Sequence, residues 1–357
     1  MPSIDLVVPG DPNTATGGYI YDREILAGLA DLGWRTAVHA LDESFPRPTP
    51  AALRAARAVL AGIPSGRVVV IDGLALAGLE RVLETEAKRL RVVGLVHHPL
   101  ALETGVDEAS ARLLEGAERA ALALVGRVIV TSQWTARALG AYRVPIESIR
   151  VVEPGVDRRR KAAKPHGNRL ETDSFNLLCV ATLTPRKGHA VLFEALAGLR
   201  DRHWHLTCAG SGSRDPVTAA ALEHQLDRLA LRNRVSLLGD LDASALEREY
   251  ARADLFVLAS YLEGYGMALA EAVARGVPVV STTAGAIPET VPAAASVLVP
   301  PGDSRALARA LATVMDDPAE RERLVRGARA ARATLPTWRG AAQKFAAALD
   351  GLAAPRA

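Results

Sequence analysis

Cysteine and aromatic residues are scarce in this chain, and long apolar runs are missing. Only Cys179 and Cys208 occur in 357 residues, both within apolar, strand-like segments. That number favours a buried, reduced pair of thiols over a disulfide framework or a metal site. No window approaches the roughly 18 consecutive apolar residues of a membrane span, and no basic segment followed by an apolar one stands at the N-terminus. We therefore expect a cytoplasmic protein.

A strong charge of one sign is also missing. The formal net charge is +3, from 43 basic and 40 acidic residues, which argues against a nucleic-acid partner. Basic residues concentrate in "RRRKAAKPHGNR", residues 158–169, which we interpret as a solvated linker; contact with an anionic surface is the alternative. The first half has no clear basic amphipathic helix, so peripheral membrane contact stays open but has no support in the sequence.

The chain has instead a repeated alternation of apolar strand-like segments with helical ones. This alternation is typical of parallel sheets with helices on both faces. Six strands are predicted before the basic stretch and six after it. They are "IDLVVPG", "RTAVHAL", "RVVVIDG", "RVVGLVHH", "RVIVTS" and "IRVVEPGVD", then "FNLLCVATL", "HWHLTCAG", "RVSLLGD", "DLFVLAS", "VPVVST" and "SVLVP".

The restart of the pattern predicts an α/β protein with two tandem doubly wound, Rossmann-like domains. We place the first domain at residues 1–157, the linker at 158–170 and the second domain at 171–335. A C-terminal helix, within 336–357, is expected to pack back on the first domain. Because functional loops in such domains follow the carboxyl ends of the strands, we expect a site in a cleft between the two domains.

Helices are predicted between the strands, with one unusual start. Two ordinary examples are Tyr21–Leu32 and Ala190–Leu199. A third follows "YLEGYG" and should begin near Met267 and end at Arg275. The glycines of "EGYG" let the backbone turn tightly after a strand and leave amides at a helix N-terminus, which is a site for anions.

Two glutamates, Glu263 and Glu271, flank that turn. Carboxylates suit hydroxyl groups and amides suit phosphate, so the combination predicts a ligand with both, such as a nucleotide sugar. The alternative is an acidic first turn that only favours the helix dipole.

The segment "YLEGYGMALAEAVARGVPVVSTTAGAIPE" resembles the signature of family-4 retaining glycosyltransferases with the GT-B fold. The resemblance extends over nearly the whole chain. "TGGYIYDREILAGLADLGWRTAVHA" is similar to the family's glycine loop and first helix, and "VATLTPRKGHAVLFEAL" to its basic phosphate-binding segment. The resemblance implies that a hexose moves from a nucleoside-diphosphate sugar to an acceptor hydroxyl with retention at the anomeric carbon. The donor is a substrate, so no separate cofactor is expected.

By position, the resemblance assigns the donor contacts. Glu271 would hold the ribose hydroxyls and Glu263 the donor sugar, together with four backbone amides. Those amides belong to Gly264, Tyr265, Gly266 and Met267. Gly17 and Gly18 would approach the diphosphate, and Val235 would lie near the base through backbone contacts.

Lys187 would neutralise the leaving diphosphate, whose oxygens gain negative charge as it departs. From the residues alone, a solvated lysine is the alternative. The family commonly carries an arginine five residues before this lysine, where the chain has Thr182. Arg186 is the candidate replacement because its planar fork can grip two phosphate oxygens; an arginine that faces solvent is the alternative.

A strand-end pair, His97 and His98, supplies a further candidate. The resemblance implies that a histidine here contacts the donor sugar or the acceptor, and His97 is the better match by register. Either histidine taken singly could instead satisfy a strand-end carbonyl. Glu103 is an additional candidate for the acceptor.

Metal ligands are not indicated by spacing. No Asp-x-Asp pair flanks a predicted strand end and no His/Cys cluster has ligand spacing, so we expect a metal-independent enzyme in which Lys187 replaces the cation. A Rossmann dehydrogenase is disfavoured because "AGSGSRDP" has Arg214 and Asp215 where the third glycine should fall. A nucleotide-sugar epimerase of the same fold and a non-catalytic nucleotide-sugar-binding protein remain as alternatives.

Overall fold

The computed structural model describes residues 1–158 and 174–352. The chain divides into two compact units. Met1–Gly155 and Pro336–Ala357 form the first, and Val156–Leu335 forms the second. The predicted linker, residues 158–170, lies outside the described residues except for Arg158.

The first unit is built on a parallel six-stranded sheet. Its order is β2-β1-β3-β4-β5-β6, so the chain changes direction across the sheet between β1 and β3. The strands are β1 (Ser3–Pro9), β2 (Arg35–Leu41), β3 (Val68–Asp72), β4 (Arg91–Val96), β5 (Arg127–Val130) and β6 (Ile149–Val151). The helices between them are α1 (Gly17–Asp31), α2 (Pro50–Gly62), α3 (Gly73–Leu76), α4 (Glu80–Glu86), α5 (Glu108–Leu122) and α6 (Gln133–Ala138).

The second unit has its own parallel six-stranded sheet. Its order is β12-β11-β10-β7-β8-β9, the doubly wound order of a Rossmann fold, with the change of direction between β7 and β10. The strands are β7 (Phe175–Val180), β8 (Trp204–Ala209), β9 (Val235–Leu237), β10 (Leu255–Leu258), β11 (Val279–Thr282) and β12 (Ser296–Val299). The helices are α7 (His189–Ala197), α8 (Pro216–Arg228), α9 (Ala243–Arg252), α10 (Met267–Ala274), α11 (Ile287–Thr290), α12 (Ser304–Asp316) and α13 (Pro318–Ala331).

The last helix, α14 (Trp338–Ala348), belongs to the first unit and packs against α1. Gly28 makes this contact possible, because a Cβ there would lie 2.5 Å from the Cβ of Ala342. The two helices therefore approach more closely than two side chains would allow.

The predicted fold class, α/β with two doubly wound Rossmann-like domains, is confirmed, and each predicted strand has a counterpart in the described residues. The helix starts are less accurate. The first helix begins at Gly17 rather than Tyr21, so Gly17 and Gly18 lie in its first turn. The start at Met267 is correct, although that helix ends at Ala274.

Each unit has its own apolar core. The largest fully buried side chains of the two cores are those of Tyr21 and Tyr250. Cys179 and Cys208 are buried and unbridged, as expected. Among the described helices, none combines the length and hydrophobicity needed to cross a bilayer.

Candidate functional site

The carboxyl ends of β7 and β10 are neighbours at the point where the second sheet changes direction, which is where open α/β sheets bind ligands. Lys187 lies on the loop after β7 and Glu263 on the loop after β10. Although 76 residues separate them, Lys187 Nζ donates to Glu263 Oε1 at 2.6 Å. The strand order thus brings Lys187, the predicted phosphate ligand, next to Glu263, the predicted sugar ligand.

Gly188 explains how the loop after β7 reaches β10. Its φ is +67°, and a Cβ would lie 2.0 Å from the carbonyl oxygen of Ala259, so only glycine fits. The N–H of Tyr261 donates to the carbonyl of Arg186 at 2.8 Å and ties the two loops together. Backbone contacts therefore hold the "PRKG" turn against the end of β10.

Glu263 is a buried carboxylate whose charge is compensated. It is 5% exposed, and its Oε1 also accepts from the hydroxyl of Ser260 at 2.6 Å. Burial alone would raise the pKa of Glu263, but the charges of Lys187 and Arg186 outweigh it and hold that pKa below its usual value. Glu263 is therefore ionised at neutral pH, and the cluster keeps one net positive charge.

Arg186 faces this cluster. Its Nη1 donates to the carbonyl of Leu262 at 2.7 Å and lies 3.7 Å from Glu263 Oε2, and its side chain is 18% exposed. The alternative in which Arg186 points to solvent is wrong. Thr182 lies on the same loop, half-buried.

The turn before α10 has the predicted geometry. Gly266 has φ +94°, and α10 begins at the next residue, Met267. The Thr290 hydroxyl donates to the carbonyl of Tyr265 at 2.6 Å and fixes the turn. The first N–H groups of any helix lack partners within it, so the amides of residues 264–267 stand beside Glu263 at a helix N-terminus.

Glu271 has partners of its own. Its Oε2 accepts from the hydroxyl of Tyr250 at 3.3 Å and lies 3.8 Å from Arg275 Nη1. Burial raises the pKa of Glu271, although Arg275 and Tyr250 oppose the rise. Arg275 in turn lies over the Tyr250 ring, 4.3 Å from its centroid. The side chain of Glu271 is 26% exposed, so a held carboxylate stays accessible to a ligand.

Val235 begins β9, the edge strand of the second sheet, and its side chain is buried. That leaves only its backbone for a ligand, which is the kind of contact predicted. Contact with a base remains a prediction.

A second polar group lies at the strand ends of the first unit. Asp72 ends β3 and His97 directly follows β4, while Asp22 lies on α1. His97 Nε2 is 3.4 Å from Asp72 Oδ2 and 3.9 Å from Asp22 Oδ1. Gly18 borders the same nitrogen, because a Cβ there would lie 3.4 Å from it.

The charge states in this group are unusual. Burial raises the pKa of Asp22 to about 7, although His97 opposes the rise. For His97, burial lowers the pKa, but Asp72 and Asp22 outweigh it and raise the pKa above its usual value. The two carboxyl groups therefore favour the charged form of the imidazole, and one of them titrates near neutral pH.

Aromatic packing fixes the ring of His97. Tyr21 packs edge-on against it at 5.5 Å between centroids, and Trp338 of α14 packs against Tyr21 at 6.2 Å. The Tyr21 hydroxyl donates to the carbonyl of Val152 at 3.0 Å. The C-terminal helix thus supports a candidate site residue through one intermediate ring.

The two histidines have different surroundings. His98 Nε2 lies 3.1 Å from Glu103 Oε2, whereas His97 faces Asp22 and Asp72. Glu103, predicted as an acceptor contact, is therefore paired with His98 in this structure. Gly17 is the first residue of α1.

Several residues of these groups were not predicted from the sequence: Asp22, Asp72, Ser260, Tyr250 and Arg275. Asp22 stands one helical turn after Gly18, on the same face of α1. Asp72 ends an apolar strand, "VVVID", and precedes a glycine. A polar residue at the end of a buried strand is the signal that would have found it.

Spacing along the chain also missed two groups of ligand-type side chains. Cys179, His189 and Cys208 form one group, and Asp22, Asp72 and His97 form the other, each with its donor atoms within 4.8 Å of one another. The cysteines and histidine offer the soft donors that zinc prefers. We interpret the second group as a proton-sharing cluster, because its carboxyl oxygens lie 3.4 and 3.9 Å from His97 Nε2 and burial raises the pKa of Asp22 to about 7.

Comparison with known sequences identifies the family. The family described as "Glycosyl transferases group 1" matches residues 161–331, and the one described as "Glycosyltransferase Family 4" matches residues 7–160. D-inositol 3-phosphate glycosyltransferase from Pseudarthrobacter chlorophenolicus is 30% identical over 302 residues, 77% of this chain and 69% of that protein. The protein is therefore a glycosyltransferase that belongs to family 4, also called group 1, with the GT-B fold.

Other relatives differ in name and coverage. MMP alpha-(1->4)-mannosyltransferase from Mycolicibacterium hassiacum is 28% identical over 322 residues, 86% of this chain and 75% of that protein. Glycogen synthase from Mycobacterium tuberculosis is 34% identical over 188 residues, which span 52% of this chain and 44% of that protein. The relatives share a class of reaction, transfer of a glycosyl group.

Solved structures support the fold. Sucrose-phosphate synthase from Thermosynechococcus elongatus superposes with a TM-score of 0.80 at 23% identity, over 97% of this chain and 98% of that one. HepE from Anabaena in complex with UDP-glucose gives a TM-score of 0.76 at 20% identity, over 97% and 99%. At these identities the likeness concerns the fold.

Proposed function

We propose that the protein transfers a hexose from a nucleoside-diphosphate sugar to an acceptor hydroxyl, with retention at the anomeric carbon and without a metal ion. The observation that carries the proposal is the ion pair between the partly buried Lys187 and the buried Glu263, with Arg186 beside it, at the N-terminus of α10. Two cations, one carboxylate and a helix N-terminus together favour an anion that also carries hydroxyl groups.

The diphosphate would bind to Lys187, Arg186 and the amides before α10. A buried ammonium group needs an anionic partner, and Glu263 supplies it before the donor binds. Diphosphate oxygens would then replace Glu263 as the partner of Lys187. Glu263 would be released to accept hydrogen bonds from the donor sugar, so one carboxylate would serve both states.

Glu271 would bind the ribose. A carboxylate accepts hydrogen bonds from two neighbouring hydroxyls, and Tyr250 and Arg275 hold this one in place. By the resemblance, Gly17 and Gly18 would contact the diphosphate, and His97 the donor sugar or the acceptor.

Bond cleavage would be assisted by charge placement. As the glycosidic bond to the diphosphate lengthens, negative charge grows on the leaving oxygens and positive charge on the anomeric carbon. Lys187 and Arg186 would stabilise the leaving group, the task that a divalent cation performs elsewhere. Metal independence follows from this assignment.

Names of relatives narrow the substrates only to a class. HepE has been solved with UDP and with UDP-glucose, and the relative from M. hassiacum is a mannosyltransferase, so a nucleoside-diphosphate hexose is the donor class we propose. The acceptor would be a glycan, a lipid carrier or a small molecule. Two buried free thiols favour a reducing compartment, and we propose the cytoplasm.

A thermal-shift screen across UDP-, GDP-, ADP- and dTDP-sugars tests the donor. A ligand at 100 times its dissociation constant adds about 2.7 kcal/mol of stability. Mass spectrometry of products, with and without candidate acceptors, separates the alternatives: transfer needs an acceptor, an epimerase converts the donor alone, and a binding protein converts nothing. Stabilisation by none of the nucleotide sugars would contradict the proposal.

A further inference from the structure

Asp22 is a buried carboxyl group without a hydrogen-bond partner. Its side chain is 3% exposed, and neither oxygen is hydrogen-bonded to any part of the chain that the structure describes. Leaving such a group unpaired in a core costs stability. An apolar residue at this position of α1 would avoid that cost. Folding stability therefore does not explain why a carboxyl group stands here.

Asp22 cannot contact a substrate directly, because both of its oxygens are inaccessible. The group it faces is His97, whose Nε2 is buried while 23% of the side chain remains exposed. Nε2 therefore faces the carboxyl groups, while another part of the side chain reaches solvent. Any effect of Asp22 on a ligand passes through that ring.

The charged surroundings of His97 are defined by four elements. Helix α1 contributes Tyr21, Asp22 and Arg23, and the end of β3 contributes Asp72. The next residue on the loop after β4, His98, is paired with Glu103. The hydroxyls of Thr131 and Thr135, after β5, donate to the His97 carbonyl at 3.2 and 3.1 Å.

Asp72 and Asp22 do not play equal parts. Asp72 Oδ1 accepts from the N–H of Leu74 at 2.9 Å and caps α3, so it is partly committed to the fold. Asp22 has no such commitment among the described residues. Asp22 is therefore the residue whose removal changes the charge around His97 with the least structural disturbance.

We propose that Asp22 is a positioning residue that, together with Asp72, holds a proton on His97 Nε2 and keeps the ring an imidazolium near neutral pH. The His97 ring then donates a hydrogen bond to an oxygen of the bound donor. The hydrogen bond from His97 to the donor rests on the proposed function. The effect of Asp22 on His97 is independent of it, since this effect is a property of the protein without ligand.

NMR titration of the histidines tests this directly, with the His97 signal assigned by its loss in His97→Gln. In Asp22→Asn we expect the His97 pKa to fall by about 1 unit or more, as for removal of a carboxylate within about 4–6 Å. The matched control is Asp5→Asn, which removes another buried carboxyl group paired with a histidine, His39, at 2.9 Å. It should leave the His97 titration unchanged.

The pH profile of turnover supplies the second readout. In Asp22→Asn the alkaline limb of kcat should move to lower pH by the same shift, and Asp22→Glu should restore part of it. A merely structural role would lower the rate equally at every pH. If Asp22→Asn does not fold, Asp22→Ser is the substitute neutral variant.

The outcomes separate the inference from the function. A folded neutral variant with the His97 titration of the wild type would overturn the inference. A shifted titration in a protein that transfers no sugar would support the inference and contradict the proposed function.

Discussion

Each unit contains a group of polar side chains around a buried carboxyl group, and the two groups differ in how the charge of that carboxyl group is stabilised. In the second unit, the buried Glu263 has Lys187 and Ser260 as direct partners. In the first unit, the buried Asp22 has no hydrogen-bond partner among the described residues, and His97 Nε2 lies 3.9 Å away. Burial is thus compensated by direct hydrogen bonds in one group, and in the other only by the more distant charge of His97.

This difference decides how each group responds to protons. Lys187 and Arg186 hold the pKa of Glu263 below its usual value despite burial, so the second group keeps its charge at neutral pH. Burial raises the pKa of Asp22 to about 7, so the first group changes charge there. A fixed charge suits the neutralisation of a diphosphate, and a titrating one suits the tuning of a neighbouring histidine.

The largest effect should come from Lys187 in the compensated group. Lys187→Ala should lower turnover by about 10²–10³-fold, as for loss of one preorganised charge-stabilising donor. Lys344→Ala is the matched control, because Lys344 also pairs with a glutamate, Glu153, at 2.9 Å, but on the surface of the first unit. Steady-state kinetics with a donor measures both, and equal turnover in the two variants would remove Lys187 from the mechanism.

Neutralising one carboxyl group in each unit should change stability in opposite directions. Glu263→Gln leaves Lys187 and Arg186 without their carboxylate and should cost about 3 kcal/mol of unfolding free energy. Because its folded pKa lies below the usual 4.5, this stabilisation is present above that value and lost as pH falls through the folded pKa.

Asp22→Asn should instead gain stability relative to wild type as pH rises. The folded pKa of about 7 exceeds the usual 3.8, so ionisation of Asp22 costs stability across that range. Denaturant unfolding at pH 5 and pH 8 measures both variants. If the free energy of unfolding changes with pH by the same amount in both variants, the two groups do not differ in their response to protons.

Glu271 should affect binding more than turnover. Glu271→Ala should weaken nucleoside-diphosphate affinity by about 10–100-fold, because hydrogen bonds to a charged group contribute about 1.5–3 kcal/mol and are made equally before and during reaction. Glu247→Ala is the control, since Glu247 also contacts Arg275, at 2.9 Å. Calorimetry that finds wild-type affinity in Glu271→Ala would show that Glu271 is not the ribose ligand.

Arg186 tests whether the compensated group needs both cations. Arg186→Ala should lower turnover at least tenfold, and Arg186→Lys should recover only part, because lysine lacks the planar fork. An arginine introduced by Thr182→Arg should rescue Arg186→Ala. The exposed Arg248→Ala serves as the control for loss of an arginine. Wild-type turnover and diphosphate affinity in Arg186→Ala would assign the second charge elsewhere.

The smallest effect is expected from chelation. If Lys187 and Arg186 supply the charge for the leaving diphosphate, EDTA should leave turnover unchanged within about twofold, since one cation contact less would cost far more. Assays with EDTA, and after return of Mg²⁺ or Mn²⁺, measure this. Loss of activity on chelation that either ion restores would contradict the metal-free proposal.

The strands, the fold class and the position of the α10 turn can be predicted from the amino-acid sequence alone. These features depend on short-range patterns: apolar runs of strand length and the glycines of "EGYG". Such patterns act over a few residues and can be recognised without knowing the rest of the chain.

Which side chains contact one another depends on the tertiary structure. Lys187 meets Glu263 because β7 and β10 are neighbours in a sheet whose order reverses there. Asp22 and His97 meet because α1 and the ends of β3 and β4 converge in the first unit. Contacts between residues this far apart depend on strand order and crossover connections, which no local pattern encodes. That Asp22 has no hydrogen-bond partner among the described residues depends further on everything that packs around it.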